Sequence, residues 1–254
     1  MKIYTKKTSA IVLVGGTGSR FSSIEEPPKQ LSKLNKDFIL IHIIKHFKKY
    51  GINHFIFPLG YKKKFFINFF LSKKNVAKYK FNILKKKYEI KDLKENMINI
   101  SFFDAKNNTT KLSRIFQSLK YSIYEDLLVT YGDDLANTNI KKLFAKFYSF
   151  KRKKAIITIY KKNSQYGHVI TNKKGIVKKF IEKPQYDYPI NIGNYLFTKS
   201  LLKKFKKLKY ELETNLIPNL VKKKLLLSFE HKGYFYSIND KKELIIAKKK
   251  LKNL

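Results

Sequence analysis

A short apolar run, Ile11-Val12-Leu13-Val14, empties directly into Gly15-Gly16-Thr17-Gly18-Ser19-Arg20-Phe21. The run reads as a buried strand. Glycines at 15, 16 and 18 let successive backbone N–H groups turn toward one point without interference from a Cβ, which is how a loop cradles phosphate oxygens. Arg20 and Lys29, the latter in Pro28-Lys29-Gln30-Leu31, add full positive charge at the edge of that cradle. The combination predicts a site for a nucleoside triphosphate. A dinucleotide fingerprint would need a third glycine where Phe21 stands, and a Walker loop would need Gly-Lys-Ser/Thr at its end. A plain solvated glycine turn is the bland alternative, and Arg20 with Pro28-Lys29 argue against it.

Apolar runs alternate with helical patterns over residues 1–150, which predicts βαβ units on a mainly parallel sheet. Strands are expected over 9–14, 54–59, 98–103, 126–130 and 155–159, with helices over 37–50, 111–122 and 139–150. Lysine-rich residues 73–97 show weak periodicity and read as an excursion over the mouth of a site, or equally as a solvated loop. From residue 165 the pattern turns to hairpin-like strands (167–171, 175–182, 189–197), two helices (199–205, 214–223), a strand pair (226–231, 233–238) and a terminal helix from Asp240. No linker or repeat divides the chain. The expected architecture is a single α/β domain over 1–254, with a nucleotide-binding half to about residue 150 and a second half beyond it.

Composition narrows the function classes. With 43% apolar and 15% aromatic residues the chain is not disordered, despite a net charge of +38. That charge invites a nucleic-acid reading, yet only three of the 56 basic residues are arginine: Arg20, Arg114 and Arg152. Nucleic-acid readers lean on arginine for bidentate contacts, so specific nucleic-acid binding is not expected. The absence of cysteine excludes disulfides and fits a reducing cytosol. The apolar run at 10–14 is too short for a signal peptide, and Phe65 to Leu71 falls far below the ~20 residues of a membrane span, so a soluble, cytoplasmic protein without membrane partners is expected.

Asp133 directly follows the strand Leu127-Leu128-Val129-Thr130, in Tyr131-Gly132-Asp133-Asp134. Open α/β sheets place ligands at the carboxyl ends of their strands, where a carboxylate can hold Mg²⁺ against phosphates. Asp134 reads as part of a capping turn. His42 and His46, an i,i+4 pair, read as helix surface rather than as metal ligands.

GGTGSRF followed by PKQL resembles the signature loop of the sugar-1-phosphate nucleotidyltransferases, and further segments are similar to the glucose-1-phosphate cytidylyltransferases, in order and at similar spacing. They are Gly51-Ile52-Asn53 with Gly60-Tyr61-Lys62, Thr130-Tyr131-Gly132-Asp133, Asn139-Ile140-Lys141, Tyr166-Gly167, Glu182-Lys183-Pro184, Asn191-Ile192-Gly193 and His231-Lys232-Gly233-Tyr234-Phe235. The resemblance spans residue 10 to about residue 245. It implies a Rossmann-like sheet flanked by helices, with a smaller carboxyl-side sheet for the sugar. The implied reaction is attack by a sugar 1-phosphate on the α-phosphorus of an NTP, with CTP and glucose 1-phosphate as the expected pair, Mg²⁺ as cofactor and pyrophosphate as leaving group. Such chemistry depends on positioning and charge neutralisation.

The resemblance also implies roles residue by residue. Val14, Gly15, Gly16, Thr17, Gly18, Thr110 and Lys111 would bind the nucleotide. Arg20 and Lys29 would neutralise the triphosphate, and Asp133 would hold the metal. Lys183 would hold the sugar phosphate, while Gly167, Glu182 and Asn191 would meet the sugar. Two departures stand out. Asn108-Thr109-Thr110-Lys111 replaces the family's Thr-Gly-Gly-Arg, which bears on the choice of base. The family's second metal aspartate falls on Asn239 or Ser237, with Asp240 one residue further and equally placed to cap a helix. The candidates for that position are therefore Asn239 and Asp240, and a catalytically silent nucleotide-sugar binder, another NTP specificity and self-association stay open.

Overall fold

The computed structural model describes residues 5–14, 25–84, 93–106, 109–205 and 211–252. Strands β1 (Thr8–Leu13), β2 (Lys33–Leu34), β3 (Asp37–Phe38), β4 (His54–Leu59), β5 (Phe81–Ile83), β6 (Ile98–Asp104) and β7 (Asp126–Tyr131) come first. They are followed by β8 (Asp134–Ala136), β9 (Ala155–Tyr160), β10 (His168–Thr171), β11 (Val177–Ile181), β12 (Ile190–Thr198), β13 (Leu226–His231) and β14 (Phe235–Ser237). The helices are α1 (Ile39–Lys49), α2 (Lys63–Leu71), α3 (Lys73–Tyr79), α4 (Lys111–Ser118), α5 (Ile140–Ser149), α6 (Lys199–Lys203), α7 (Ile217–Lys222) and α8 (Lys241–Lys250).

Eight strands form one sheet in the order β13-β9-β12-β7-β1-β4-β6-β5. All neighbours are parallel except β12, which lies antiparallel to both β7 and β9. β1 and β4 are buried along their whole length, as befits parallel strands covered on both faces. The two-residue period of β1 divides the core. Ala10 and Val12 pack with Ile39, Ile43, Ile44 and Phe47 of α1, while Ile11 and Leu13 pack with Leu112 and Ile115 of α4 and with Leu212, Leu216 and Leu220. Three small ribbons stand outside the sheet: β2 with β3, β8 with β14, and β10 with β11.

The mainly parallel α/β sheet is as the sequence predicts. The stretch 73–84 is not the excursion read from its lysines. Lys73–Tyr79 is helical, and β5 closes the sheet edge beside β6. The reason is aromatic packing: Tyr79 and Phe81 bury against Phe69 and Phe70, anchoring a segment whose exposed lysines hide that pattern. Helix α2 itself carries no expectation from sequence, because its phenylalanines break the amphipathic period. The helix expected from 37 begins at Ile39, since Asp37 and Phe38 pair with β2. His42 and His46 each bond a backbone carbonyl, of Leu34 at 2.8 Å and Thr138 at 2.9 Å. Among the described residues no helix is long and apolar enough to cross a membrane.

A polar chain crosses the sheet interior. His54 Nδ1 lies 2.9 Å from the Ser9 hydroxyl and Nε2 lies 3.0 Å from that of Ser101, while Ser122 donates to Ser9 at 2.8 Å. Burial pushes the His54 imidazole down to about 4 from its ordinary 6.5. A histidine kept neutral by the fold contributes fully above 6.5 and loses that contribution as the pH falls toward 4, because the unfolded chain takes up the proton first. The loss is on the order of 3 kcal/mol. Urea midpoints measured from about pH 7 down to pH 4 should therefore fall, and His54→Gln should flatten the curve in that window. An undiminished slope in the variant assigns the acid sensitivity elsewhere.

Candidate active site

Parallel pairing of β1 with β7 sets Leu13 opposite Tyr131, and the Gly132 N–H donates to the Leu13 carbonyl at 3.0 Å. The exit of β1 and the Tyr131-Gly132-Asp133-Asp134 segment therefore lie side by side at the carboxyl edge of the sheet. Lys29 arrives in a single helical turn (Lys29–Leu31) behind Pro28. Its ammonium sits 2.5 Å from Asp133 Oδ2, with both side chains largely buried. Two residues 104 positions apart, expected at one reaction centre, are thus brought together.

Asp134 belongs to strand β8 rather than to a capping turn, and it faces Ser237 of β14 across that ladder. The ribbon is fastened by the Ile238 N–H, which donates to the Asp133 carbonyl at 3.0 Å. Burial, then the neighbouring Asp133 charge, pushes Asp134 up to about 7, against a hydrogen bond from Ser237 and the charges of Lys29 and Lys111. The Asn239 amide reaches the Ser237 hydroxyl at 3.3 Å. Asp240 is the N-cap of α8, accepting from the Glu243 N–H at 2.7 Å, while Glu243 accepts from the Asn239 N–H at 2.5 Å. The doublet Asp133-Asp134 is the sequence signal for the extra carboxylate; only the β8–β14 ladder turns it toward this site.

On the nucleotide side, Gly15, Gly16, Thr17, Gly18 and Arg20 lie outside the described residues. Val14 is buried, and its carbonyl accepts from Arg114 Nη1 at 2.8 Å. Arg114 comes from α4, is itself buried, and bonds the Thr109 hydroxyl at 3.2 Å. The mouth of the glycine loop is thereby tied to the segment holding Thr110 and Lys111. Thr110 caps α4, accepting from the Ser113 N–H at 3.1 Å. Lys111 Nζ lies over the Tyr131 ring, 5.1 Å from its centroid, and 2.8 Å from Glu213 Oε1.

The sequence names Tyr131 only as part of the Thr130–Asp133 segment, without a role, and does not point to Glu213. The Tyr131 hydroxyl donates to Glu213 and lies 3.3 Å from that of Tyr195, which accepts from the Asn191 amide at 2.5 Å. Burial, then Tyr195 and Glu213, push the Tyr131 phenol up. Asn191 opens an irregularity in β12, where pairing with β9 shifts between Asn191 and Tyr195. Gly193 turns there at φ +75°, its N–H donating to Asn191 Oδ1 at 3.0 Å. Thr130 and Thr138 hold the buried Asn194 beside it, at 2.7 and 3.2 Å.

Gly167, Glu182 and Lys183 form a separate group on the β10–β11 ribbon. A Cβ on Gly167 would come within 2.3 Å of the Phe180 ring and 3.0 Å of Glu182 Oε2. Lys183 takes a left-handed conformation at φ +46°, its ammonium 3.5 Å from Glu182 Oε1, and both side chains are about 60% exposed. The ribbon also exposes Tyr166, Val169, Ile170, Ile176, Val177 and Phe180.

A comparison with protein families matches residues 9–251 to the family described as nucleotidyl transferase. The chain belongs to that family. It is 32% identical over 248 residues to the probable glucose-1-phosphate cytidylyltransferase of Bacillus subtilis (strain 168), with 94% of each chain covered. It is 29% identical over 237 residues to the glucose-1-phosphate cytidylyltransferase of Salmonella typhimurium, with 89% of each covered. Among solved structures, a putative glucose-1-phosphate thymidylyltransferase from Bacillus anthracis superposes with a TM-score of 0.69 at 17% identity, over 97% of this chain and 96% of that one. The resemblance read from the motifs is borne out, and the chain is a nucleotidyltransferase enzyme with the Rossmann-like fold.

The turn at Gly193 yields a direct test. An added Cβ would lie 2.2 Å from Tyr131 Cδ2 and 3.2 Å from Asp134 Oδ2, in a conformation that already disfavours side chains. Gly193→Ala should cost about 1–3 kcal/mol of stability, read as a lowered denaturation midpoint. It should also lower turnover by displacing Tyr131. Unchanged stability and turnover would show that the turn can open away from Tyr131.

Proposed function

We propose that the enzyme transfers the cytidylyl group of CTP to glucose 1-phosphate in the cytoplasm, giving CDP-glucose and pyrophosphate. The phosphate oxygen of the sugar attacks the α-phosphorus, a new P–O bond forms, and the bond from that phosphorus to the bridging oxygen of pyrophosphate breaks. The observation that carries this reading is the meeting of Lys29 with Asp133 at the carboxyl edge of the sheet, where two anionic substrates need both a cation and a metal-binding carboxylate. Two relatives, a probable glucose-1-phosphate cytidylyltransferase at 32% identity and a glucose-1-phosphate cytidylyltransferase at 29%, support the base and the sugar.

The donors at this edge are oxygens: the Asp133 and Asp134 carboxylates with the Ser237 hydroxyl between Asp134 and Asn239. That chemistry fits Mg²⁺, a hard ion that needs only one or two carboxylates when substrate phosphates complete its shell. Asp133 and Asp134 would hold it, with Ser237 and Asn239 behind them, and Asp240 stays with its helix. When bound, Mg²⁺ would supply charge to the triphosphate and so ease the departure of pyrophosphate. Lys29 would turn from Asp133 to phosphate oxygens, and Arg20 is assigned to the triphosphate as well. Lys183, Glu182, Gly167 and Asn191 are assigned to the sugar phosphate. The partners are an NTP and a sugar 1-phosphate, not a nucleic acid.

Pyrophosphate release with CTP, dTTP, UTP, GTP and ATP, each with glucose 1-phosphate, tests the reading. CTP should be preferred clearly, because a hydrogen-bonding base pocket discriminates strongly. Equal rates with dTTP or UTP would move the enzyme to another branch. No turnover with any NTP, even at tens of millimolar Mg²⁺ (a generous range for an oxygen-ligand site), would favour a silent binding protein.

Asp133→Asn should leave less than about a tenth of the rate, at least roughly 1.4 kcal/mol of transition-state stabilisation, with the fold intact by circular dichroism. A variant keeping more of the rate removes Asp133 from the metal site. Lys183→Ala should act mainly on the KM for the sugar phosphate. A rise confined to the KM for the NTP would reverse the assignment of the two sides.

A further inference from the structure

A carboxylate beside a lysine meant for an anionic substrate opposes ground-state binding, so the placement of Glu213 needs another reason. Glu213 lies in a π-helical turn (Leu212–Leu216) of the carboxyl-terminal half, about a third exposed. Burial pushes its carboxyl upward, but bonds from Lys111 and Tyr131 hold it below the usual carboxylate range. It is charged where it stands.

The hydrogen bonds that end on it share one direction. The Asn191 amide can only donate through its nitrogen, and it donates to the Tyr195 oxygen. The Tyr131 hydroxyl spends its proton on Glu213, so its oxygen is left to accept from Tyr195. The protons therefore point along Asn191, Tyr195, Tyr131 and Glu213, and an anion terminates the series. Such a chain is polarised by its charged end, and each link is stronger for the next. Tyr195 is fully buried, so water does not compete along that link. Lys111 shares the terminal carboxylate and lies over the Tyr131 ring. The chain thus begins at a residue assigned to the sugar, and its terminal carboxylate is shared with Lys111, a residue assigned to the nucleotide.

We propose that Glu213 is a positioning residue that couples the two substrates, its charge aligning the Asn191–Tyr195–Tyr131 chain and setting Lys111 against the nucleotide. The inference rests on the assignment of Asn191 and Lys111 to opposite substrates made above. A sugar phosphate that draws on the Asn191 amide weakens the donor side of the chain. Tyr131 and Lys111 then share Glu213 differently, and the lysine is presented to the triphosphate on a changed footing.

Coupling free energy is the readout, since a merely structural residue would not move it. The full-length enzyme in Mg²⁺ buffer is titrated calorimetrically with the α,β-methylene analogue of CTP, which cannot be cleaved at the reacting bond. The titration is run with and without saturating glucose 1-phosphate. The wild type should show a change in analogue affinity of about fivefold or more. Glu213→Gln should retain the melting temperature and bring the ratio to within about twofold of one. Tyr131→Phe, which removes the relay hydroxyl and leaves the Lys111–Glu213 pair, should do the same. It also carries the test if the Gln variant fails to fold. Wild-type coupling in a folded variant of either kind overturns the proposal, as does a wild type that binds both ligands independently. A wild type that binds neither ligand overturns the proposed reaction together with this inference.

Discussion

Parallel pairing of β1 with β7 is the constraint on which the site depends. The register that puts Leu13 opposite Tyr131 brings the exit of β1 beside the Tyr131–Asp133 segment, and the Gly132 N–H to Leu13 carbonyl bond continues that register past the strand ends. A slip of one residue would turn every side chain of β1 to the other face. It would separate Ala10 and Val12 from α1, and Ile11 and Leu13 from α4. Position of the reacting groups and integrity of both cores therefore rest on one alignment.

Charge is distributed with a similar economy. A chain with 56 basic and 18 acidic residues has cations to spare for phosphate binding; acids are the scarce element. Three of them, Asp133, Asp134 and Glu213, gather around Lys29, Lys111 and Tyr131. Asp133 neutralises Lys29, and Glu213 neutralises Lys111, so each of the two lysines proposed for phosphate binding is held in place by a carboxylate. The antiparallel strand β12 makes this possible. It enters between β7 and β9 and carries Asn191, Gly193 and Tyr195 of the carboxyl half against Tyr131 of the amino half.

Much of this was legible in residue order. Ile11 to Val14, the alternating runs of the first half and Leu127 to Val129 announce parallel strands because strands buried on both faces read as near-continuous apolar runs. The motif resemblance assigns the family, and the family match over 9–251 agrees. Less legible were α2 and the edge strand β5, where clustered phenylalanines and exposed lysines obscure the period, and the second function of the Asp-Asp doublet.

By itself, the sequence determined the α/β class through its pattern of apolar runs, and through its motif resemblance the family and the candidacy of Lys29 and Asp133; their meeting was left to the strand register. Tertiary structure alone decided that Asp134 faces Ser237 and that Glu213 closes a chain from Asn191. Those contacts join segments far apart in the chain, through strand register and a bulge in β12. A side chain's partner across a sheet is set by which strands pair and in what register, and no local pattern of residues encodes that.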